Sequence, residues 1–207
     1  MIDFTGKTVI FWDFDGVILD SMPTREYGFK NVLEKYPNNE VEKLLDFHRK
    51  NGGLSRYVKF RYFFEEIRNE TLSNEKLSKL TDSYSEIMRE RLCLRENLIS
   101  ETINYIKKHQ HNYTMHIVSG SDGNELRYLC NQLIISQYFK TIEGSPTPKI
   151  ELVRDLLKKF NYNKEELCLI GDSINDFDAA KSNKIDFFGY NNKSLKNKGK
   201  NYIISFS

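Results

Sequence analysis

The stretch from Thr8 to Ser21 constrains the fold of this chain more than any other. It begins with an unbroken run of β-branched and aromatic residues, Val9 to Trp12, and then reaches Asp13 and Asp15. A short apolar run of this kind is typical of a strand that is buried on both faces in the middle of a parallel sheet. Residues directly after such a strand lie at the carboxyl edge of the sheet, where ligands bind.

The two aspartates after this strand indicate a cation site. Two carboxylates one residue apart crowd negative charge, which is costly in a partly buried place unless a cation neutralises it. A hard divalent cation suits carboxylate oxygens best. The alternative is an ordinary turn, because Asp and Gly are also the common turn residues.

Polar residues recur where later predicted strands end. Strands are predicted at 114–118, 141–143 and 167–170, with further strands at 185–189 and 202–206. The polar residues after the first three are Ser119 with Gly120, Lys149, and Asp172 with Asp176. Asp172 and Asp176 are spaced i and i+4, so they can face the same point around a helix start, although capping by Asp172 alone is an alternative.

The order of the predicted elements gives the fold class. From Leu98 onward helices and strands alternate, which predicts an α/β fold with a doubly wound, parallel-sheet, Rossmann-like core. Between the first strand and Leu98 the apolar residues follow four helical stripes, within 29–36, 41–48, 60–67 and 77–88. We therefore expect a discontinuous core, 1–19 and 93–207, with a small helical domain, 20–92, inserted after the first strand.

Three local expectations follow from the same patterns. His48 and the aromatic residues of the third stripe are expected to pack in the helical bundle, since helical apolar spacing usually reflects packing. Asp122 and Glu125 are spaced as a helix-capping pair. Cys93, Cys130 and Cys168 are widely spaced and odd in number, which favours reduced thiols over disulfides or a zinc site.

Composition narrows the partners. The net charge is +2, from 31 basic and 29 acidic residues, so no global field favours nucleic acid or an anionic membrane. The apolar runs are strand-sized, and the N-terminus lacks the features of a secretory signal. We expect a cytoplasmic protein that takes a small-molecule substrate, and nothing in the sequence indicates an obligate protein partner.

The four clusters resemble the motifs of a known family. The run DFDGVILDS resembles the first motif of the haloacid-dehalogenase-like hydrolases, and Ser119-Gly120, Lys149 and Gly171-Asp172 match the later motifs in the same order. The second acid, Asp15, places the resemblance in the phosphoryl-transferring branch. A departing halide needs no general acid, so Asp15 argues against a dehalogenase.

The resemblance implies a role for each cluster. Asp13 is the nucleophile that forms an aspartyl-phosphate, and Asp15 exchanges a proton with the leaving oxygen; we expect the neighbouring carboxylate to raise the proton affinity of Asp15. Ser119 and Gly120 bind the phosphoryl oxygens, and Lys149 neutralises their charge. The implied cofactor is Mg²⁺, and its implied ligands are Asp13, the Asp15 carbonyl, Asp172 and Asp176.

The inserted helices are expected to set specificity. The loop Gly53-Leu54-Ser55-Arg56 resembles the segment with which caps of the β-phosphoglucomutase type reach the distal part of a substrate, so Arg56 and the nearby Arg25 are candidate substrate-binding residues. Residues 51–67 also resemble hydrolases of surface-polysaccharide and nucleotide-sugar pathways. A small sugar or polyol phosphate is the substrate class that these resemblances imply.

Two other functions stay open. A phosphomutase would use the same core residues and an insert at the same point, and only the product separates it from a phosphatase. A non-catalytic binding protein could also reuse the fold, although loss of an acid or of the lysine would then be expected, and all are present.

Overall fold

The computed structural model describes residues 4–206, and at its centre is a sheet of six parallel strands. The strands run in the order β3-β2-β1-β4-β5-β6. β1 lies between β2 and β4, with Trp12 paired to Ile117 on one side and to Ile170 on the other. The bounds are β1 Val9–Trp12, β2 Thr114–Asp122, β3 Thr141–Ser145, β4 Leu167–Gly171, β5 Asp186–Tyr190 and β6 Asn201–Ile203.

A run of helices fills the chain between β1 and β2. Its first four α-helices are α1 Met22–Val32, α2 Asn38–Lys50, α3 Arg56–Arg61 and α4 Asn74–Leu92. We call residues 22–92 the helical segment. Most residues of the four predicted stripes are buried there, but the third stripe is divided, because α3 continues as a π-helix, Tyr62–Ile67, instead of an α-helix. Serines begin two of these helices: Ser55 accepts a hydrogen bond from Val58 N–H, and Ser73 accepts one from Lys76 N–H.

Four further helices cover the sheet, and alternate residues of β1 point to its two faces. Ile10 and Trp12 join one apolar cluster, whereas Val9 and Phe11 join the other. This arrangement confirms a central strand buried on both sides and the predicted α/β, doubly wound class. The helices are α5 Ser100–His109, α6 Gly123–Gln132, α7 Lys149–Phe160 and α8 Ile174–Asn183.

Strand ends differ from the sequence-based prediction. β2 continues through Ser119 and Gly120 to Asp122 instead of ending at Val118, and β3 reaches Ser145. The last strand ends at Ile203, so the predicted strand over 202–206 is wrong beyond that residue. The chain leaves the sheet there because Phe206 packs against Trp12 and Tyr190.

The apolar interior is shared between the helical segment and the sheet. Phe29 and Tyr84 of the helical segment belong to the same buried cluster as Ile10 and Trp12 of β1. The division into a core, 1–19 and 93–207, and an inserted domain, 20–92, stays a prediction. In the part of the chain that the structure describes, no helix is both long and apolar enough to cross a membrane. The three cysteines are free thiols.

Candidate active site

Asp13 begins the site because it follows β1 directly. Its backbone N–H donates to the Ile170 carbonyl at 2.9 Å, which fixes it at the carboxyl edge of the sheet between β1 and β4. The chain then turns through Gly16, whose φ is +75°. A Cβ at Gly16 would lie 2.1 Å from an Asp172 carboxylate oxygen, so a glycine is needed for the two strand ends to approach this closely.

The structure brings three of the predicted metal ligands together. Carboxylate oxygens of Asp13, Asp172 and Asp176 all lie within 4.8 Å of one another. Lys149, at the start of α7, donates from Nζ to Asp13 Oδ1 at 2.6 Å and also bonds Asp176. Three carboxylates therefore face a single ammonium, and the cluster keeps an excess of negative charge.

The pKa values reflect this charge imbalance. Burial, with the Asp176 charge, raises the pKa of Asp13 to about 7 in spite of Lys149. Burial and the charges of Asp13 and Asp176 raise the pKa of Asp172 well above its usual value. A group of hard oxygen donors with surplus negative charge is the kind of site that Mg²⁺ fits. The cluster is thus compatible with the predicted metal.

Asp176 has a second role that the sequence pattern did not reveal. The residue that caps α8 is Ser173, and not Asp172 as the alternative interpretation had it. Asp176 Oδ2 accepts hydrogen bonds from Ser173 N–H at 2.9 Å and from Ser173 Oγ at 2.7 Å, which closes a capping box. Its other oxygen faces Lys149, so a single carboxylate both caps α8 and belongs to the acidic cluster.

Asp15 lies apart from this cluster, bound to the helical segment. Arg25 donates to both of its oxygens, with Nη2 3.0 Å from Oδ1, and Ser21 and Ser121 also donate to it. Burial alone would raise the pKa of Asp15, but the Arg25 charge and these hydrogen bonds outweigh burial and hold it at about 2. The expected increase in the proton affinity of Asp15 is therefore wrong for this arrangement. The Arg25 guanidinium contacts Asp15 directly, and its charge outweighs the effect of the neighbouring carboxylate.

Arg25 and Arg56 meet at one buried carboxylate, Glu125. Arg25 Nη1 donates to Glu125 Oε1 at 2.7 Å, and Arg56 Nη1 donates to Glu125 Oε2 at 2.6 Å. Glu125 lies on α6 and is 0% exposed, so it joins the helical segment to the sheet side of the molecule. The predicted Asp122–Glu125 capping pair is half wrong: Asp122 accepts from Asn124 N–H and Glu125 N–H, but the Glu125 side chain binds the two arginines.

Arg56 is held on several sides. Besides Glu125, its Nη1 donates to Ser85 Oγ at 2.7 Å, and its guanidinium lies over the Tyr84 ring at 4.5 Å. Its side chain lines the same pocket as Asp13 and Asp15. A role in gripping substrate stays a prediction, and it would fall to the guanidinium nitrogens other than Nη1.

Ser119 and Gly120 line this pocket with Asp13 and meet the loop before α3. A Cβ at Gly120 would lie 2.1 Å from the Gly53 carbonyl oxygen, and a Cβ at Gly53 would lie 2.6 Å from Ser173 Oγ. The loop is thus seated directly on the strand ends. Residues of the helical segment and of the strand ends line the pocket together.

Two further residues line the pocket, His48 and Lys59. The sequence pattern predicts that His48 packs in the helical bundle, and it gives Lys59 no role. His48 is buried as predicted, but it lines the pocket, and neither of its ring nitrogens has a hydrogen-bond partner. Lys59 was not singled out, although its spacing carries a signal: Arg56, Lys59, Phe60 and Phe63 fall at i, i+3, i+4 and i+7. An ammonium on that apolar stripe marks the place where the helix faces the pocket instead of the bundle interior.

Comparison with known proteins agrees with the fold and the motifs. A family model described as haloacid dehalogenase-like hydrolase matches residues 9–190. This chain belongs to that family, as the four motifs predicted. The family's curated relatives among the matches are named as phosphatases, in agreement with the predicted class of enzyme.

Two relatives and one solved structure illustrate the similarity. A phosphorylated carbohydrates phosphatase of Thermotoga maritima is 25% identical over 191 residues, covering 87% of this chain and 82% of its own. A phosphoglycolate phosphatase of Vibrio vulnificus is 25% identical over 202 residues, with the same coverage. The crystal structure of a β-phosphoglucomutase from Clostridium difficile superposes with a TM-score of 0.76 at 18% identity, covering 97% of this chain and 92% of that one, and shows the shared fold.

Proposed function

We propose that this protein is a phosphomonoester hydrolase in which Asp13 is the covalent nucleophile. The observation that carries the proposal is the position of Asp13, whose carboxylate ends the central strand, bonds Lys149 at 2.6 Å and lines a pocket with Asp15 and Ser119. A carboxylate attacks a phosphoryl group well when nearby cations offset the repulsion between them.

The reaction has two displacement steps. In the first, an Asp13 carboxylate oxygen forms a bond to phosphorus, the ester P–O bond breaks, and the leaving oxygen takes a proton from Asp15. In the second, water attacks phosphorus, Asp15 takes a proton from that water, and the Asp13 carboxylate is released with inorganic phosphate. Asp15 can hold a proton only when its contact with Arg25 is broken, so the proton transfers require the Arg25 side chain to move away from Asp15.

The proposed cofactor is Mg²⁺, which would be held by Asp13, the backbone carbonyl of Asp15, Asp172 and Asp176. When bound, it would supply positive charge that offsets the repulsion between these carboxylates and the phosphoryl group. Lys149 orients the Asp13 carboxylate and carries positive charge toward the phosphoryl oxygens. Its pKa is raised by Asp13 and Asp176 despite its burial, so it stays protonated.

Ser119 and Gly120 are proposed to donate a hydroxyl and a backbone N–H to the phosphoryl oxygens. The inserted domain, for which the predicted range is 20–92, then acts as a cap. It excludes water from Asp13 while the ester reacts. Arg25 and Arg56 would connect that cap to the site, because both reach Glu125 and both line the pocket.

The proposed substrate is a small phosphorylated metabolite, such as a sugar or polyol phosphate of surface-polysaccharide or nucleotide-sugar metabolism. The name of the Thermotoga relative, a phosphorylated carbohydrates phosphatase, supports the carbohydrate class. A cytoplasmic location is proposed on the same footing, since soluble phosphorylated metabolites occur there. We propose no nucleic acid, membrane or obligate protein partner, because the net charge of +2 gives no global field that favours one.

Phosphate release from a panel of sugar and polyol phosphates, with and without Asp13→Asn, tests this function. The variant should lose at least about three orders of magnitude in kcat while keeping its circular dichroism spectrum, because the nucleophile is gone. Asp155→Asn, at an exposed position on α7, is the matched control and should retain full activity. A folded Asp13→Asn protein with near-normal turnover would refute the mechanism, and accumulation of a phosphorylated isomer without inorganic phosphate would identify a phosphomutase.

A further inference from the structure

The helical segment forms one wall of the pocket. Two buried polar side chains on that wall lack the hydrogen-bond or charge partners that buried polar groups normally have. Lys59 is 3% exposed, and the hydrogen bond that its Nζ makes goes to the Gly52 carbonyl at 3.0 Å. His48 is 2% exposed, and both of its ring nitrogens are without a hydrogen-bond partner. A buried ammonium without a carboxylate and a buried imidazole without any partner are both costly, and an anion in the pocket would supply the missing partners.

The charges around Lys59 make this wall cationic. Arg25, Arg56 and Lys59 all line the pocket, and the part of the pocket lining that comes from the described helical segment includes no carboxylate. Arg25 is already matched by Asp15 and Glu125, and Arg56 is matched by Glu125. Lys59 is therefore the cation of this wall whose charge no carboxylate contacts.

The pKa values reflect the burial of both side chains. Burial is the largest cause that lowers the pKa of Lys59 to about 7; the Asp15 charge opposes it, and the charges of Arg25 and Arg56 act in the same direction as burial. Burial and the charges of Lys59 and Arg25 lower the pKa of His48 to about 2, so its ring is neutral and offers one N–H donor and one acceptor. An anion placed here would gain a counter-charge from Lys59 and a hydrogen bond from His48.

The two side chains line the same pocket as the proposed reacting residues. Asp13, Ser119 and Gly120 line it as well. The charges of Asp15 and Asp13 both act on Lys59. A group bound there would be the far end of a short phosphomonoester whose phosphoryl group lies at Asp13.

We propose that Lys59 and His48 form a subsite for a second anionic group of the substrate, a carboxylate or a second phosphoryl group. The proposal rests on the proposed phosphatase function and narrows it: the preferred substrates carry two anionic groups, one transferred at Asp13 and one held at Lys59. Arg25 and Arg56 then serve to fix the wall through Glu125, while the charge that recognises substrate comes from Lys59.

Two matched pairs of substrates test this subsite and distinguish the two anions. 3-Phosphoglycerate differs from glycerol 3-phosphate by a carboxylate, and fructose 1,6-bisphosphate differs from fructose 6-phosphate by a second phosphoryl group. For at least one pair the wild-type protein should show the higher kcat/KM on the member that carries two anionic groups. Lys59→Met should reduce that preference at least tenfold and His48→Leu at least threefold, whereas Lys43→Met, at an exposed position of α2, should preserve it.

Thermal unfolding separates recognition from a structural role of Lys59. Methionine keeps most of the alkyl chain and removes a buried charge, so Lys59→Met should melt at or above the wild-type temperature. If the variant instead melted more than about 4 °C lower, Lys59 would serve to hold the Gly52 carbonyl and the subsite would be refuted. The subsite would also be refuted by an unchanged preference in Lys59→Met, or by a wild-type preference, in both pairs, for the member with a single anionic group.

Binding in the absence of turnover keeps the subsite and the proposed function apart. Calorimetry on Asp13→Asn should show, for at least one pair, tighter binding of the member with two anionic groups. The double variant Asp13→Asn/Lys59→Met should lose that difference in affinity. Equal binding of both members of each pair would overturn the subsite even if phosphate is released from all four. A Lys59-dependent difference in binding without phosphate release would leave the subsite standing and refute the phosphatase function.

Discussion

Replacing Glu125 by glutamine should destabilise this protein far more than a change of one atom in a side chain usually does. Glu125 is fully buried, and its two oxygens each accept one guanidinium hydrogen bond, from Arg25 at 2.7 Å and Arg56 at 2.6 Å. Glutamine has only one oxygen, so its amide nitrogen would have to face one of the two guanidinium groups, donor against donor. The substitution also removes the negative charge that these two buried cations share.

The magnitude follows from the burial of all three groups. The side chains of Arg25 and Arg56 are 6% and 3% exposed, so solvent screens the lost charge weakly. Removing one partner of a buried ion pair costs about 3–5 kcal/mol, and we expect the lower end, about 3 kcal/mol, because Arg25 keeps Asp15 as a partner. For a chain of this size that loss lowers Tm by roughly 6–12 °C.

Thermal unfolding followed by circular dichroism would measure this effect against a matched control. Glu75→Gln removes the same charge from an ion pair with Lys79 at 2.7 Å, but both of those side chains are at least 75% exposed, so the cost should be below about 0.5 kcal/mol. Adding Arg56→Met to Glu125→Gln should restore part of the loss, because the unpaired guanidinium is then gone. If Glu125→Gln melted within 2 °C of the wild type, or no lower than Glu75→Gln, the argument from the buried triad would be refuted.

Two further predictions concern the strand ends. Asp172→Ala should raise the Mg²⁺ concentration needed for half-maximal activity at least about tenfold, since it removes one of three clustered carboxylates; a Mg²⁺ titration that matched the wild type would show that Asp172 is no ligand. Gly120→Ala should lower kcat/KM at least about tenfold, because the new methyl group would lie 2.1 Å from the Gly53 carbonyl oxygen and force the loop off the site. Unchanged kinetics in a folded Gly120→Ala protein would show that the loop need not approach the strand ends during turnover.

The fold could be predicted from the sequence because its strongest signals are local. The run from Val9 to Trp12 is apolar at every position, and a short run of β-branched and aromatic residues is typical of a strand covered on both faces. The helical stripes of residues 22–92 repeat at helical spacing, and those residues are buried as the spacing requires. The strand ends were less predictable, since β2 continues beyond Val118 through hydrogen bonds to β3 that depend on a neighbour distant in the sequence.

The acidic cluster could also be predicted, because parallel strands bring their carboxyl ends to one edge. Asp13 follows β1 and Asp172 follows β4, and these strands are neighbours in the sheet. Once the strands are recognised, the meeting of Asp13, Asp172 and Asp176 follows from topology alone.

The other wall of the pocket was decided by tertiary structure alone. Glu125 is 100 residues from Arg25 and 69 from Arg56 along the chain, and its spacing after Asp122 suits helix capping equally well. The pairing of Asp15 with Arg25, which holds the pKa of that carboxyl low, likewise depends on how the helical segment sits on the sheet. A local pattern records which face of a helix is apolar, but the charge that meets a polar side chain on that face comes from a distant element, and only packing brings the two together.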